Sequence, residues 1–203
     1  MFTVMNDFRL IADDKFNLHP TEFAPYLLGG IIRVENLSGR IVETEAYTAP
    51  PEDYASHAYT REESAGPIMR TAGTIYIYSI HNGLAVNITC DPVHTGAVLL
   101  RAIEPLDGIR EMIRHRSRRN TKISRTWDAE QYHTLTAMTN GPSKLAEALG
   151  IRKSWNNEPV GKHIRLFARE ETPEIVTSGR IGISQSTELQ WRYMDAESDF
   201  LSR

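Results

Sequence analysis

The chain has 203 residues, 40% of them hydrophobic and 24% charged, which is typical of a one-domain soluble globular protein. Its single cysteine, Cys90, excludes an internal disulfide, a four-cysteine zinc site and an iron–sulfur cluster held by this chain alone. The net charge of −3 excludes a protein that is basic overall, so any contact with nucleic acid must depend on a local basic segment. No segment has the length of a membrane span or the apolar core of a signal peptide. We therefore expect a monomer without metal or cofactor, located in the cytoplasm of a bacterium or in the nucleus of a eukaryote.

The first predicted elements are one helix and two strands. Thr21 is expected to cap a helix that runs to Leu28 and stops at two glycines. The segments Ile31–Leu37 and Ile41–Tyr47 are rich in β-branched residues and predict two strands, with Ser38-Gly39 as their hairpin turn. Residues 50–66 combine proline, glycine, serine and acidic residues and predict a loop.

The second of these strands carries the first candidate site residues. A period of two places Glu43, Glu45 and Tyr47 on one face. One interpretation is an exposed acidic strand that ends in an amphipathic tyrosine. The other is a general base beside an aromatic wall, with the following loop supplying a second wall.

One of the next predicted strands has a charged residue among apolar ones. The segments Gly73–Ile80 and Leu84–Ile88 predict a hairpin around Asn82-Gly83. Ala97–Ile103 is apolar enough for a buried strand, except for Arg101 in its middle. Because an unpaired buried charge is very costly, Arg101 needs a partner. That partner can be a carboxylate, a phosphate or carbonyl groups, and a structural salt bridge is the default interpretation.

The second half of the chain predicts both helices and strands. Helices are expected at Pro105–Arg118 and Pro142–Leu149, and strands at Val160–Phe167 and Gly179–Ile183. The polar tail from Asp195 is expected to fray. No repeat or linker divides the chain. The sum is a single α+β domain over residues 1–203, with an ordered core of about residues 8–194 around a curved, mostly antiparallel sheet.

Basic residues concentrate in one segment. Between Arg110 and Arg125 there are seven lysines and arginines and one acidic residue, Glu111. One interpretation is a solvated helix that runs into a loop, and the other is a strip that binds phosphate groups. Spacing alone does not separate the two.

Several segments, in this order, resemble one protein family over roughly Leu10 to Tyr193. These are RIVETEAY, the following loop with its histidine, GTIYIY, the asparagine of VN, AVLLRAIEPLDG, NGPSKLAEALGI and RIGI. Together they are similar to the alkyladenine (3-methyladenine) DNA glycosylases of the mammalian type. The sequence contains no LPGVG-like segment, which would be expected in a helix–hairpin–helix glycosylase.

The resemblance implies a set of site residues. Glu45 matches the general base that activates water, and Arg101 and the main-chain carbonyl of Ile181 match the groups that hold this water. The remaining matches are residues of the base pocket: aromatic walls at Tyr47, His57 and Tyr78, and a pocket-floor asparagine at Asn87. The loop before His57 is about one residue longer than in the family, so His57 is the less secure of these matches.

The resemblance also implies contacts with double-stranded DNA. The wedge that fills the gap left by a flipped base falls on His81, in a hairpin about one residue shorter than the family's, and Leu84 is an alternative wedge. Contacts with the DNA backbone are expected from the basic residues Arg116, Arg118, Arg119 and Lys144. Lys144 as a Schiff-base nucleophile is the less favoured interpretation, because a lysine at a helix start more often contacts phosphate or solvent.

The implied function is hydrolysis of the N-glycosidic bond of alkylated purines in DNA by a flipped-base mechanism without strand cleavage. Purines methylated at N3 or N7, such as 3-methyladenine and 7-methylguanine, are cationic and leave easily, whereas hypoxanthine and ethenoadenine are neutral and need help at the leaving group. Two alternatives stay open. One is a lesion-binding protein that has lost activity, and the other is an RNA-binding β-domain similar to the C-terminal part of methionyl-tRNA formyltransferase.

Overall fold

The computed structural model describes residues 9–80, 83–118 and 132–202, and within them it contains six α-helices and eight β-strands. The helices are α1 Pro20–Leu27, α2 His57–Thr60, α3 Glu62–Met69, α4 Ile109–Ser117, α5 Tyr132–Thr139 and α6 Pro142–Ala148. The strands are β1 Ile31–Val34, β2 Leu37–Tyr47, β3 Ile75–Ile80, β4 Gly83–Cys90, β5 Gly96–Asp107, β6 Arg165–Phe167, β7 Ile175–Ser178 and β8 Arg192–Asp195. All strand pairs are antiparallel. The predicted α+β class with a curved antiparallel sheet is confirmed.

Strand β2 lies in the middle of the sheet, whose main path is β3–β4–β5–β2–β1–β6. One edge of β2 pairs with β5 along its whole length. Its other edge pairs first with β1 and then, at Glu43–Glu45, with β8. Because β2 has neighbours on both edges and packed layers on both faces, Glu43 and Glu45 are completely buried. The interpretation of an exposed acidic strand is therefore wrong.

The main core fills the space between the sheet and helices α1, α4 and α6. Phe23 and Leu27 of α1 and Leu145 of α6 are fully buried against Leu100 and Ile103 of β5. Burying large aliphatic and aromatic side chains contributes roughly 1.5–3 kcal/mol each to folding. This packing fixes β5, and with it Arg101, against β2.

The first hairpin turns earlier than predicted. The turn between β1 and β2 is at residues 35–36, where Glu35 has a positive φ of 53°, and Ser38-Gly39 belongs to β2. A Cβ atom on Gly39 would lie 2.7 Å from Cδ1 of Ile103 and 2.9 Å from the carbonyl oxygen of Glu104. The glycine is therefore required for close packing of β2 on β5 and not for a turn.

Three other predicted boundaries are also wrong. The first helix has Pro20 at its first position and His19, not Thr21, at its cap. The predicted loop at residues 50–66 contains α2 and most of α3. Pro105 continues β5, opposite Gly39, so α4 begins only after it.

Two further differences lie near the end of the chain. Residues 179–183 are not a strand, since Gly182 has a φ of +79° and the strand β7 precedes it. The tail after Asp195 does not fray: Phe200 and Ser202 are 7% exposed, and the packed region extends beyond the expected limit at residue 194. A helix at α5 was not predicted.

The described residues contain neither a membrane-spanning helix nor a cluster of metal ligands. No helix there combines the length and apolar character needed to cross a bilayer. In the same part of the chain, no group of three or more histidine, cysteine, aspartate or glutamate side chains is placed to hold a metal ion.

Candidate active site

A cavity of about 640 Å³ opens beside the C-terminal end of β2. Its wall contains seven of the residues predicted for the site, which come from seven separate parts of the chain: Tyr47, His57, Tyr78, Asn87, Arg101, Lys144 and Ile181. Cavities of this volume are usual for small-molecule sites. The fold therefore brings most of the predicted site together around one space.

The carboxylate of Glu45 lies behind this wall and is held by three donors. Oε1 accepts a 2.8 Å hydrogen bond from the main-chain N–H of Ile181 and lies 3.3 Å from Nη1 of Arg101. Oε2 accepts a 2.8 Å hydrogen bond from the hydroxyl of Tyr47. At Ile181 the contact observed is thus made by the N–H, whereas the expectation concerned the carbonyl and a water molecule.

Arg101 bridges both carboxylates of β2. Its Nε donates to Oε1 of Glu43 at 2.8 Å, while its Nη1 faces Glu45. Burial would lower the pKa of Arg101, but the negative charges of Glu45 and Glu43 outweigh burial and raise it. Arg101 is therefore a permanent cation shared by two buried carboxylates, and its predicted need for a partner is met.

Glu43 is the more heavily hydrogen-bonded of the two carboxylates. It accepts from Arg101, from Nε of Arg192 at 2.7 Å, and from both the N–H and the hydroxyl of Ser202. Burial would raise the pKa of Glu43, but the hydrogen bonds from Ser202 and the charge of Arg101 outweigh it, so the pKa lies below its ordinary value. Glu43 is thus an ionised structural partner of Arg101.

Two of the predicted aromatic walls are in direct contact. The rings of His57 and Tyr78 meet edge to face with 4.3 Å between their centroids. Tyr76 lies two positions before Tyr78 in β3, and its hydroxyl shares a 2.9 Å hydrogen bond with Nδ1 of His57. Tyr76 was not among the predicted pocket residues. Burial, helped by the positive charge of Arg61, lowers the pKa of His57 to about 4, so its imidazole is neutral at pH 7.

The ring of Tyr47 is supported from behind by a buried ion pair. The guanidinium of Arg180 lies 4.6 Å from the Tyr47 ring centroid and donates two hydrogen bonds, of 2.6 and 2.8 Å, to Asp53. Both side chains of the pair are fully buried. Arg180 also precedes Ile181 in the chain, so the pair links the loop before α2 to the N–H that contacts Glu45. Neither residue was among the predicted site residues. Asp53 falls in a segment predicted as a loop and Arg180 in one predicted as a strand, and neither pattern indicates an ion pair between them.

Asn87 closes the inner end of the cavity. It is 4% exposed, and its amide nitrogen donates a 3.1 Å hydrogen bond to the main-chain oxygen of Tyr76. This bond fixes the orientation of the amide on the cavity wall.

The residues predicted to contact DNA are in different environments. Arg116 forms an ion pair with Glu147 on α6, whereas Arg118 is exposed at the end of α4. Nζ of Lys144 donates to Oδ1 of Asn140 at 2.7 Å on the cavity wall. Leu84, the alternative wedge, is partly buried and packs against the main core.

Two predicted DNA contacts, His81 and Arg119, lie outside the described residues.

Comparison with known proteins identifies the family. The family model described as "Methylpurine-DNA glycosylase (MPG)" matches residues 14–199. The chain belongs to the methylpurine-DNA glycosylase family. The predicted resemblance is therefore confirmed, and family membership supports a DNA glycosylase that acts in DNA repair. The interpretation as an RNA-binding β-domain has no support from this comparison.

Similar bacterial proteins cover most of the chain. A protein of Gloeobacter violaceus is 34% identical over 94% of this chain and 85% of its own length. One of Chlorobium phaeobacteroides is 36% identical over 93% of this chain and 94% of its own length, and one of Chlorobium luteolum is 38% identical over 82% and 81%. All three carry the name "Putative 3-methyladenine DNA glycosylase". The similarity thus extends over most of the chain.

Proposed function

We propose that this protein is a monofunctional DNA glycosylase that removes alkylated purines by hydrolysis, with Glu45 as the general base. The observation that carries the proposal is the environment of Glu45: a fully buried carboxylate, held by three donors, behind an aromatic cavity. A carboxylate in a fixed position behind the wall of a cavity is suited to activate a water molecule.

The hydrogen bonds of Glu45 support a specific place for that water. A carboxylate oxygen has two lone-pair directions. Oε1 accepts from Ile181 and forms an ion pair with Arg101, whereas Oε2 has only Tyr47 as a partner among the described residues. We therefore assign the water to the second lone pair of Oε2, on the side of the Tyr47 hydroxyl.

The cavity wall supports recognition of a flipped base. A purine cannot be cut from its sugar inside a stacked duplex, so the nucleotide must rotate out of the helix at a cost of a few kcal/mol. Stacking a base on an aromatic side chain returns roughly 1–3 kcal/mol. Tyr47, Tyr78 and the neutral His57 supply such surfaces. Because a purine methylated at N3 or N7 is cationic, their electron-rich faces favour it over a neutral base.

The proposed reaction needs no cofactor and no covalent intermediate. The oxygen of the water attacks C1′ of the sugar, its proton passes to Glu45, and the C1′–N bond breaks with its electron pair going to the purine ring. This pair neutralises the cationic base, which leaves as a free purine. The developing positive charge on the sugar is stabilised by the nearby carboxylate.

Lys144 is assigned to the DNA backbone and not to catalysis. Its ammonium group is held by Asn140 at the start of α6, on the cavity wall. A hydrolytic mechanism without a lysine nucleophile releases free base and leaves an intact abasic strand. We therefore expect no strand breaks.

The test is release of purine from methylated duplex DNA, with free base and strand breaks counted separately. Intact protein should release base without breaks, and Glu45→Gln should lower the rate by at least about a hundredfold, in the range of general-base catalysis. Glu63→Gln, an exposed glutamate on α3, is the matched control and should match intact protein.

Two outcomes would overturn the proposal. Equal rates for intact protein and Glu45→Gln would remove Glu45 from the mechanism. Tight binding of lesion DNA without release of base by the intact protein would indicate a lesion-binding protein that has lost activity.

A further inference from the structure

The segment 198–202 reaches the back of the candidate active site. Phe200 packs in a small core with Val42 of β2 and Ala102 of β5, one position beyond Arg101. This packing carries Ser202 into the cavity wall, where it is 7% exposed. A polar tail segment is therefore built into the centre of the site.

Ser202 contacts both members of the buried ion pair. Its N–H donates to Oε2 of Glu43, and its hydroxyl donates to Oε1 of Glu43 at 2.7 Å. The same hydroxyl accepts a 2.9 Å hydrogen bond from Nη2 of Arg101. Ser202 thus uses a donor and an acceptor on one side chain to join Glu43 to Arg101.

These contacts leave only one nitrogen of Arg101 for Glu45. Nε of Arg101 is bound to Glu43 at 2.8 Å and Nη2 to Ser202, while Nη1 lies 3.3 Å from Oε1 of Glu45. A guanidinium group is planar and rigid, so fixing two of its nitrogens fixes the third. The orientation of Arg101 toward Glu45 is consequently set by Glu43 and Ser202.

We propose that Ser202 is a positioning residue for the hydrolysis: by holding Glu43 and Arg101 together, it keeps Nη1 of Arg101 on Oε1 of Glu45 and leaves Oε2 of Glu45 to the water. The inference rests on the proposed function. The orientation of Arg101 is nevertheless measurable without any enzymatic activity, so a failure of this inference can be distinguished from a failure of the proposed function.

The experiment compares five variants with the intact protein. Ser202→Ala removes the hydroxyl, and Ser202→Thr restores it. Ser198→Ala makes the same change in the same segment, at a side chain whose hydrogen bond is to the N–H of Phe200. The pair Glu43→Gln and Glu43→Gln/Ser202→Ala tests whether Ser202 acts through Glu43.

Three readouts are used: the single-turnover rate of base release, the affinity for lesion DNA, and exchange of the Arg101 Nε–H measured by nitrogen-15 NMR. Ser202→Ala should lower the rate by roughly tenfold, as expected for a small misplacement of a catalytic group. Its affinity for lesion DNA should stay unchanged, and the Arg101 Nε–H should exchange faster. Ser202→Thr should restore the rate and the slow exchange, and Ser198→Ala should match intact protein. Ser202→Ala should have no further effect on the rate in the Glu43→Gln background.

Several results would overturn the inference. One is a Ser202→Ala rate equal to that of Ser198→Ala, and another is an Arg101 Nε–H that exchanges equally slowly with and without the hydroxyl. A loss of lesion affinity and thermal stability in parallel with rate, without rescue by threonine, would indicate a structural role only. If the intact protein releases no base, the proposed function fails, and the Nε–H exchange alone then decides whether Ser202 positions Arg101.

Discussion

Oε1 of Glu45 accepts a 2.8 Å hydrogen bond from the main-chain N–H of Ile181, 136 positions later in the chain. A main-chain donor has no side-chain freedom and no pKa in the working range, so it holds the carboxylate in one place at any ordinary pH. The neighbouring Arg180 is fixed by Asp53, which restrains the backbone that carries this donor. The position of the proposed base therefore depends on the fold as much as on the adjacent side chains.

Replacing Tyr47 by phenylalanine should separate base binding from catalysis. The ring proposed to stack on a flipped base remains, but the hydroxyl that donates to Oε2 of Glu45 is lost. We expect the single-turnover rate of base release to fall by about tenfold, while lesion DNA binds within about twofold of intact protein.

Tyr78→Phe is the matched control for this prediction, because it removes from the same cavity a hydroxyl that makes no hydrogen bond to Glu45. Its release rate should stay close to that of intact protein. A larger loss at Tyr78 than at Tyr47 would contradict the role assigned to the Tyr47 hydroxyl.

Asp53→Asn should destabilise the protein strongly. It leaves the fully buried guanidinium of Arg180 without its counter-charge, and breaking a buried pair in this way costs about 3–5 kcal/mol. Urea unfolding should show this loss. Asp14→Asn, in an exposed pair with Lys15 at 3.6 Å, is the control and should change stability by less than about 1 kcal/mol. Similar losses from the two substitutions would show that the Asp53–Arg180 pair is dispensable.

His57 should stay neutral down to mildly acidic pH. Burial, with a contribution from the charge of Arg61, lowers its pKa to about 4. An NMR titration should therefore show no change at His57 between pH 8 and about 6, and Arg61→Gln should raise its pKa. A midpoint near 6.5 in the intact protein would contradict this prediction.

The lowered pKa of His57 also makes folding stability depend on pH. The unfolded chain protonates His57 near its ordinary pKa of about 6.5, whereas the folded protein does not until about pH 4. The unfolded state therefore binds more protons in this window, and the contribution of His57 to folding stability is complete above pH 6.5 and declines as the pH falls toward 4. His57→Gln should flatten the pH dependence of the unfolding free energy over this interval.

Arg118 and Arg116 should differ in their contribution to DNA binding. Arg118 is exposed, while Arg116 already forms an ion pair with Glu147. Neutralising one phosphate contact lowers the slope of log K against log salt by about 0.9. Arg118→Gln should show this decrease with undamaged duplex DNA, and Arg116→Gln should not. Equal slopes for Arg118→Gln and intact protein would place the DNA on another face.

The site residues were more predictable than the boundaries of the elements around them. Alternation in β2 placed Glu43, Glu45 and Tyr47 together, and a lone arginine in an apolar strand required a partner, for which a salt bridge was the default expectation. The three register shifts in the pairing of β2 with β5 did not disturb this outcome, since Arg101 reaches both glutamates. Short-range pattern and the cost of a buried charge were sufficient here.

Contacts that depend on distant packing could not be predicted. Ser202 lies in a polar tail with no pattern of its own, and its burial follows from the packing of Phe200 against β2 and β5. Gly39 was expected in a turn because Ser-Gly is a common turn sequence, but its role is to let Ile103 approach. In both cases the deciding atoms belong to segments more than 60 residues away in the chain.

The donors around Glu45 and Glu43 come from residues 47, 101, 181, 192 and 202, so the site is drawn from the whole length of the folded chain. During synthesis, a nascent chain that has emerged only through β5 contains both glutamates and Arg101 but lacks the groups that orient them. Proteolytic fragments that lack residues 180–202 also lack these orienting groups. Base release is consequently a reporter of complete folding, and no partially made or clipped form of the protein should cut bases from DNA.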